Sequence, residues 1–155
     1  MVGGGLGRST LLHIPRAGGP LFLESGVKSA FGLNLYYGND MNGNANPLNL
    51  PLWSWGYRRF RIEFESCDVS LSYLVQVFDG DGDNAILSGN EDTDERVVPF
   101  NVDFPFELFE AGSPGPINWD DIDAIVIQFQ TGNAAASADF AVKRIVALPP
   151  PPPNQ

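Results

Sequence analysis

The sequence predicts an all-β fold, an antiparallel β-sandwich or jelly roll of about eight strands. Period-two alternation of apolar and polar residues recurs along the chain, whereas helical periodicity does not. The composition agrees, because 17 Gly, 13 Pro, 12% aromatic and only 18% charged residues favour short strands joined by turns. With 155 residues, the chain has room for one hydrophobic core.

The clearest strand pattern lies in "YRRFRIEFE", where Phe60, Ile62 and Phe64 share one face and charged residues share the other. The next segment, "DVSLSYLVQVF", repeats the alternation. The "ESCD" between them predicts a tight reversal, which would make the two strands a hairpin. Three earlier segments also have strand character: "STLLHI", "GPLFLE" and "FGLNLYY".

Three later segments complete the predicted strands: "RVVPFNVDF", "IDAIVIQFQ" and "DFAVKRIVAL". Pro99 cannot donate a ladder hydrogen bond, so it favours an edge strand. The apolar phase of the last segment slips near Lys143, which predicts a β-bulge. A short helical turn is expected only in "PINWDDID", with Asn118 as its cap.

The ends of the chain differ in composition from the middle. Residues 1–9 read as a Gly-rich flexible leader, residues 10–148 as the β-sandwich domain and residues 149–155 as a polyproline tail. The tail cannot join a sheet, because proline lacks the N–H donor. The segment "YYGNDMNGNANPLNLPLWSW" predicts a long surface loop.

The charge and the cysteine content exclude several classes of function. A net charge of -10 disfavours binding to nucleic acid or to acidic lipid surfaces. No apolar run is long enough to predict membrane insertion. Cys67 is the only cysteine, so no intrachain disulfide can form.

Asp79, Asp81 and Asp83 in "FDGDGDNAILSGNEDTDE" have the alternating spacing of a calcium loop. The pattern departs from a helix-flanked calcium loop at the sixth and twelfth positions, which are Asn84 and Asn90. A looser calcium turn would add Asp92 or Asp94 as ligands. Asp and Gly are also ordinary residues of hairpin tips, so a plain turn is favoured and calcium as a cofactor is the alternative.

Trp53, Trp55 and Tyr57 in "LWSWGY" would share one face if the segment were extended. Such a row can stack against sugar rings, which predicts a carbohydrate-binding platform. Packing of the same row into the core is the favoured alternative. Trp119 beside "DDID" carries the same ambiguity.

The sequence contains no recognisable set of catalytic residues, and no enzyme activity is expected. His13 is the only histidine, so a zinc site has no second imidazole and a catalytic triad would have to use His13 as its base. Cys67 lies at the predicted turn without a positive neighbour to lower its pKa.

The order of "VGGGLGRSTLLHI", "LVQVFDGDGD", "VPFNVDF", "INWDDIDAIVIQF" and "ADFAVKRIVAL" resembles secreted bacterial β-sandwich proteins of the PEP-CTERM-associated type. The resemblance spans roughly residues 2–148. It implies a jelly roll like that of carbohydrate-binding modules and an extracellular or cell-surface location. The chain departs from the family after Leu148, where polyproline stands in place of a hydrophobic anchor.

Two noncatalytic functions follow from these patterns. The first is a structural protein, a subunit of an extracellular fibre, sheath or matrix that self-associates into a homopolymer through exchange of a strand or of the tail. Residues 2–14 would supply the exchanged strand, unless that strand pairs within its own subunit and leaves the tail as the contact. The alternative function is a carbohydrate-binding module that holds a polysaccharide on the Trp53 row.

Overall fold

Two antiparallel sheets form the body of the protein in this computed structural model. The structure describes residues 11–13, 21–25, 32–38, 44–67, 70–91, 99–112, 115–131 and 138–152. The strands in these ranges are β1 (Leu11–His13), β2 (Leu21–Ser25), β3 (Gly32–Tyr37), β4 (Arg59–Cys67), β5 (Leu71–Asp79), β6 (Asn84–Glu91), β7 (Phe100–Pro105), β8 (Glu110–Ala111), β9 (Ile122–Thr131) and β10 (Ala138–Leu148). A 3₁₀ helix, Phe106–Leu108, connects β7 to β8.

In the described ranges each sheet has five strands. The first sheet has the order β1-β2-β10-β4-β7 and the second has the order β3-β9-β5-β6-β8. Every described strand pair is antiparallel. The predicted all-β sandwich is therefore confirmed. The described strands exceed the expected number because β6 and the two-residue β8 were not counted among the predicted segments.

The hydrophobic core lies between the two sheets, and period-two alternation supplies its side chains. In β4, Phe60, Ile62 and Phe64 are only 4%, 1% and 2% exposed, as predicted. Inward residues of β5 and β9 meet them from the second sheet, as the T-shaped contact between Phe64 and Phe129 illustrates. The most deeply buried large side chains are Phe64, Phe104, Phe129, Leu52, Ile62, Leu71, Ile122 and Ile127.

The predicted hairpin between β4 and β5 is wrong. β4 pairs with β10 and β7 in the first sheet, whereas β5 pairs with β9 and β6 in the second. Cys67 is thus the last residue of β4 and fully buried, and not a turn residue. A hairpin and a crossing between sheets produce the same alternation, so the sequence pattern does not separate them.

Two local predictions are confirmed and one is corrected. β7, which follows Pro99, is an edge strand of the first sheet. The register of β10 against β4 shifts between Ala141 and Arg144, around Lys143, as expected for a bulge. The predicted cap at Asn118 is present, since its Oδ1 accepts from the Asp120 N–H at 3.1 Å. The segment forms a single turn and no helix, in which the Asn118 carbonyl accepts from the Asp121 N–H at 3.0 Å.

The described parts of the two ends behave differently. β1 pairs with β2 of the same chain, which was the alternative to its exchange between subunits. Residues 149–152 continue from β10 without strand structure, and all four prolines are exposed. Residues 1–9, the predicted leader, lie outside the described residues. Within the described ranges, no helix is long and apolar enough to cross a membrane.

Candidate functional site

Asp79, the first of the three predicted calcium ligands, is a buried carboxylate at the end of β5. Its side chain is 4% exposed. Oδ1 accepts from the N–H groups of Asp81 and Asp83 at 3.1 and 2.9 Å. Oδ2 accepts from the Asn118 N–H at 2.8 Å and so ties the β5–β6 turn to the segment before β9. Asp79 therefore acts as an acceptor for three backbone donors.

The other two aspartates point to separate places. Asp83 Oδ1 accepts from the Gly115 N–H at 2.8 Å, and Asp81 is exposed at the turn. Across the described ranges, no group of three or more His, Cys, Asp or Glu side chains is arranged to hold a metal ion. Asp92 and Asp94 lie outside those ranges. The contacts favour the plain turn over calcium, which stays a prediction.

Calcium is expected to leave the melting temperature unchanged, because the oxygens of Asp79 already accept backbone hydrogen bonds. The measurement is thermal unfolding with about 10 mM calcium, above the dissociation constants of roughly 0.1–1 mM typical of extracellular calcium modules. Magnesium at the same concentration is the control. A calcium-specific rise that chelator reverses would contradict the turn interpretation, since a ligand that binds the native state stabilises it.

The predicted aromatic row is not extended. Residues 52–56 form a turn, in which the Trp55 N–H donates to the Pro51 carbonyl at 3.0 Å and the Gly56 N–H donates to the Trp53 carbonyl at 2.9 Å. Gly56 has φ +83°, a conformation that glycine adopts without a steric penalty. The chain therefore reverses between Trp53 and Tyr57, and the three rings do not form a flat row.

The aromatic turn (residues 52–57) nevertheless presents two indoles to solvent. Trp53 is 44% exposed and Trp55 is 57% exposed, so neither belongs to the core. The Arg58 guanidinium lies 5.0 Å from the Trp53 ring centroid, and Trp55 contacts Tyr57 edge to face at 6.3 Å. Trp119, in contrast, is a core residue: it is 6% exposed and stacks on Phe106 inside the sandwich.

The outer face of the second sheet is a surface that no sequence motif indicates. Side chains on β3, β9, β5 and β6 that alternate with the buried ones point away from the core. In the described residues of these four strands, this neutral face carries amides, hydroxyls, apolar groups and one exposed tyrosine, and its only described charged side chain is Asp123, in the bulge near the start of β9. Its polar members are Asn34, Tyr36, Gln128, Gln130, Ser72, Gln76, Asn84, Ser88 and Asn90.

Strand register aligns these side chains into rows across the sheet. Asn34 is paired with Gln128, Gln128 with Leu74, and Leu74 with Ser88. At a strand spacing of about 4.8 Å, a row across four strands extends about 14 Å. The adjoining row contains Gln130, Ser72 and Asn90, in which the Ser72 hydroxyl donates to Asn90 Oδ1 at 2.7 Å.

A depression of about 330 Å³ lies on this neutral face. It is open to solvent and has polar side chains from three adjacent strands around it. Its lining comprises Ser72, Tyr73, Leu74, Ser88, Gly89, Asn90, Gln128 and Gln130. Amides and hydroxyls both donate and accept hydrogen bonds, so the depression can bind a hydroxyl-rich ligand without the cost of desolvating a charge.

The outer face of the first sheet has the opposite chemistry. Arg61 donates to both oxygens of Asp103 at 2.6 and 2.8 Å, and Arg144 donates to both oxygens of Glu63 at 2.8 and 2.9 Å. The Arg61 hydrogen bonds lower the pKa of Asp103, and those of Arg144 lower the pKa of Glu63. These charges are already paired with one another. The two faces of the sandwich are therefore chemically distinct.

The polar residues of the neutral face are visible in the sequence as part of the strand alternation. Asn, Gln and Ser occupy several of the outward positions of "GLNLYY", "LSYLVQVF" and "IDAIVIQFQ", while the inward positions supply the core. Alternation identifies which residues point outward, but it does not identify which strands are neighbours. Only the order β3-β9-β5-β6 brings these outward residues into one surface.

The comparisons with known proteins agree on the fold. The sequence matches no family model and no curated protein. The family 11 carbohydrate-binding module from Clostridium thermocellum in complex with a β-1,3-1,4-mixed-linked tetrasaccharide is 16% identical, with a TM-score of 0.53 over 96% of this chain and 86% of that chain. The family 11 module of the cellulosomal cellulase Lic26A-Cel5E of Clostridium thermocellum is also 16% identical, with a TM-score of 0.53 over 97% and 86%.

A third similar structure is PfGH50B, at 14% identity and a TM-score of 0.56. It matches 96% of this chain but only 23% of its own length, so this chain corresponds to one part of that protein. At such identities the likeness shows the fold alone. The chain has a β-sandwich fold similar to that of the family 11 carbohydrate-binding module.

Proposed function

We propose that this chain is a noncatalytic carbohydrate-binding module that binds a neutral polysaccharide on the neutral face of its second sheet. The observation that carries the proposal is the depression of about 330 Å³ lined by uncharged hydrogen-bonding side chains. Neutral glycans present hydroxyl groups, which both donate and accept hydrogen bonds. Gln128 and Gln130 offer both functions on adjacent rows.

Tyr36 adds a stacking surface to the same face. It is 52% exposed on β3, and its register partner is Val126 of β9. A phenol ring presents apolar area to the C–H groups of a pyranose ring and can hydrogen-bond through its hydroxyl. Tyr36 and the amides of the neighbouring rows therefore combine apolar contact with polar recognition, as small-ligand sites commonly do.

Apart from Asp123 in the bulge of β9, the described part of the neutral face has no charged side chain, and this composition predicts the class of glycan. A chain with net charge -10 repels acidic polysaccharides, and the neutral face offers no described cation to offset this repulsion. Binding to a neutral glycan should also depend little on ionic strength, because no ion pair is formed.

The comparisons support this proposal over the structural-protein hypothesis. One similar structure is a carbohydrate-binding module in complex with a tetrasaccharide, and the aligned portion includes nearly all of this chain. Assembly into a fibre, an extracellular location and the resemblance to PEP-CTERM-associated proteins stay predictions. Both proposed roles require no catalytic residue.

Tyr36→Ala and Gln130→Ala are each expected to weaken binding to a neutral polysaccharide about tenfold, equivalent to about 1.4 kcal/mol. Affinity electrophoresis against a panel of neutral and acidic polysaccharides measures this. Both side chains are exposed, so the fold should persist in each variant.

Trp55→Ala and Arg144→Ala are the matched controls. Trp55 lies in the aromatic turn and Arg144 on the charged face, and both are exposed. Retention of binding in Tyr36→Ala together with its loss in Trp55→Ala would move the glycan site to the aromatic turn. Failure of the intact protein to bind every polysaccharide in the panel would reject the proposal.

A further inference from the structure

The aromatic turn lies beside the start of the polyproline tail. The Arg58 N–H donates to the Leu148 carbonyl at 2.8 Å, immediately before the proline segment (residues 149–152). The Arg58 side chain contacts the aromatic turn: its Nη1 donates to the carbonyls of Trp53 and Tyr57 at 3.1 and 2.6 Å. The turn and the proline segment therefore flank the same arginine.

The proline segment presents an open outer side. Pro150 and Pro151, together with Arg58, Asp103 and Glu107, border a depression of about 190 Å³ on the inner side of the segment. All four prolines are nonetheless exposed. Consecutive prolines favour the polyproline II conformation, which is rigid before binding and loses little conformational entropy on docking.

Exposed aromatic side chains are the usual complement of such a segment. Polyproline II segments bind surfaces lined with aromatic rings, where proline rings pack against indole and phenol faces. Trp53 and Trp55 are 44% and 57% exposed, and Tyr57 contacts the Trp55 ring edge to face. The same molecule thus displays both halves of this interaction within one small region.

We infer that two copies of this chain associate by placing the proline segment of each against the aromatic turn of the other. A two-fold axis beside Arg58 produces this arrangement, since an isologous interface pairs each patch with its complement on the second copy. The interface is independent of the glycan-binding proposal, because the neutral face belongs to another surface of the sandwich. A contact made only by one aromatic turn and one short proline segment from each copy is small, which predicts weak, concentration-dependent association.

Sedimentation velocity over a range of protein concentrations tests the inference. The intact chain should sediment faster as its concentration rises. Trp55→Ala and a deletion of residues 150–155 should each remain monomeric, and Tyr36→Ala should associate like the intact chain. An equimolar mixture of Trp55→Ala with the deletion variant should show weaker association than the intact chain but more than either variant alone, because one contact survives.

Three results would overturn the inference. The first is an intact chain that stays monomeric at every concentration. The second is association that persists unchanged in both variants. The third is a change of tryptophan fluorescence on deletion that does not depend on concentration, which would place the proline segment against the turn of its own chain. Thermal unfolding of each variant verifies the fold, and retained polysaccharide binding shows that the glycan site is separate.

Discussion

Replacing Asp79 with alanine is expected to lower the free energy of unfolding by about 3 kcal/mol or more. Three backbone N–H groups, those of Asp81, Asp83 and Asn118, lose their acceptor. A buried donor left without a partner costs about 1–3 kcal/mol, and these three partly buried donors lie toward the lower end of that range. Urea unfolding followed by tryptophan fluorescence measures the change.

Asp81→Ala is the matched control for this variant. Asp81 is exposed and is held through its backbone N–H, so its substitution should change stability by less than about 0.5 kcal/mol. The loss of stability in Asp79→Asn should lie between the losses in Asp79→Ala and Asp81→Ala. The amide oxygen still accepts a backbone hydrogen bond, whereas the NH₂ group faces a backbone donor and cannot accept from it. Equal losses from Asp79→Ala and Asp81→Ala, appearing only in the presence of calcium, would instead favour the calcium site.

Trp119→Ala is expected to destabilise the protein by about 3–5 kcal/mol. The indole stacks on Phe106 with ring centroids 4.0 Å apart and planes 5° apart, and it meets Phe109 edge to face at 5.2 Å. Phe60 approaches the same ring from β4 at 6.3 Å. Its removal leaves a cavity among aromatic groups that strands and the 3₁₀ helix hold in place, so little relaxation can fill the space.

Trp55→Ala provides the contrast, with an expected change of less than about 0.5 kcal/mol. Its indole is 57% exposed, whereas that of Trp119 is 6% exposed. Chemical denaturation of the two variants compares the same substitution at two levels of burial. Similar losses at both positions would contradict the assignment of Trp119 to the core and of Trp55 to the surface.

The tryptophans show that a local sequence pattern does not determine whether a side chain is buried. The sequence raised the same two alternatives for the Trp53 row and for Trp119, namely core or exposed platform. The structure separates them through the turn at residues 52–57 and through Phe106, which is distant in sequence from both. Burial depends on which distant segments cover a side chain, and a short window of sequence does not contain that information.

The sequence by itself determined the all-β class, the inward faces of the strands, the edge position after Pro99 and the bulge near Lys143. These properties follow from period-two alternation and from the missing donor of proline, both of which act over a few residues. Tertiary structure decided that β4 and β5 belong to different sheets, that Asp79 accepts from Asn118, and that the outward amides of four strands lie side by side. Each of these depends on strand order and on contacts between distant segments, and alternation is the same for every strand order.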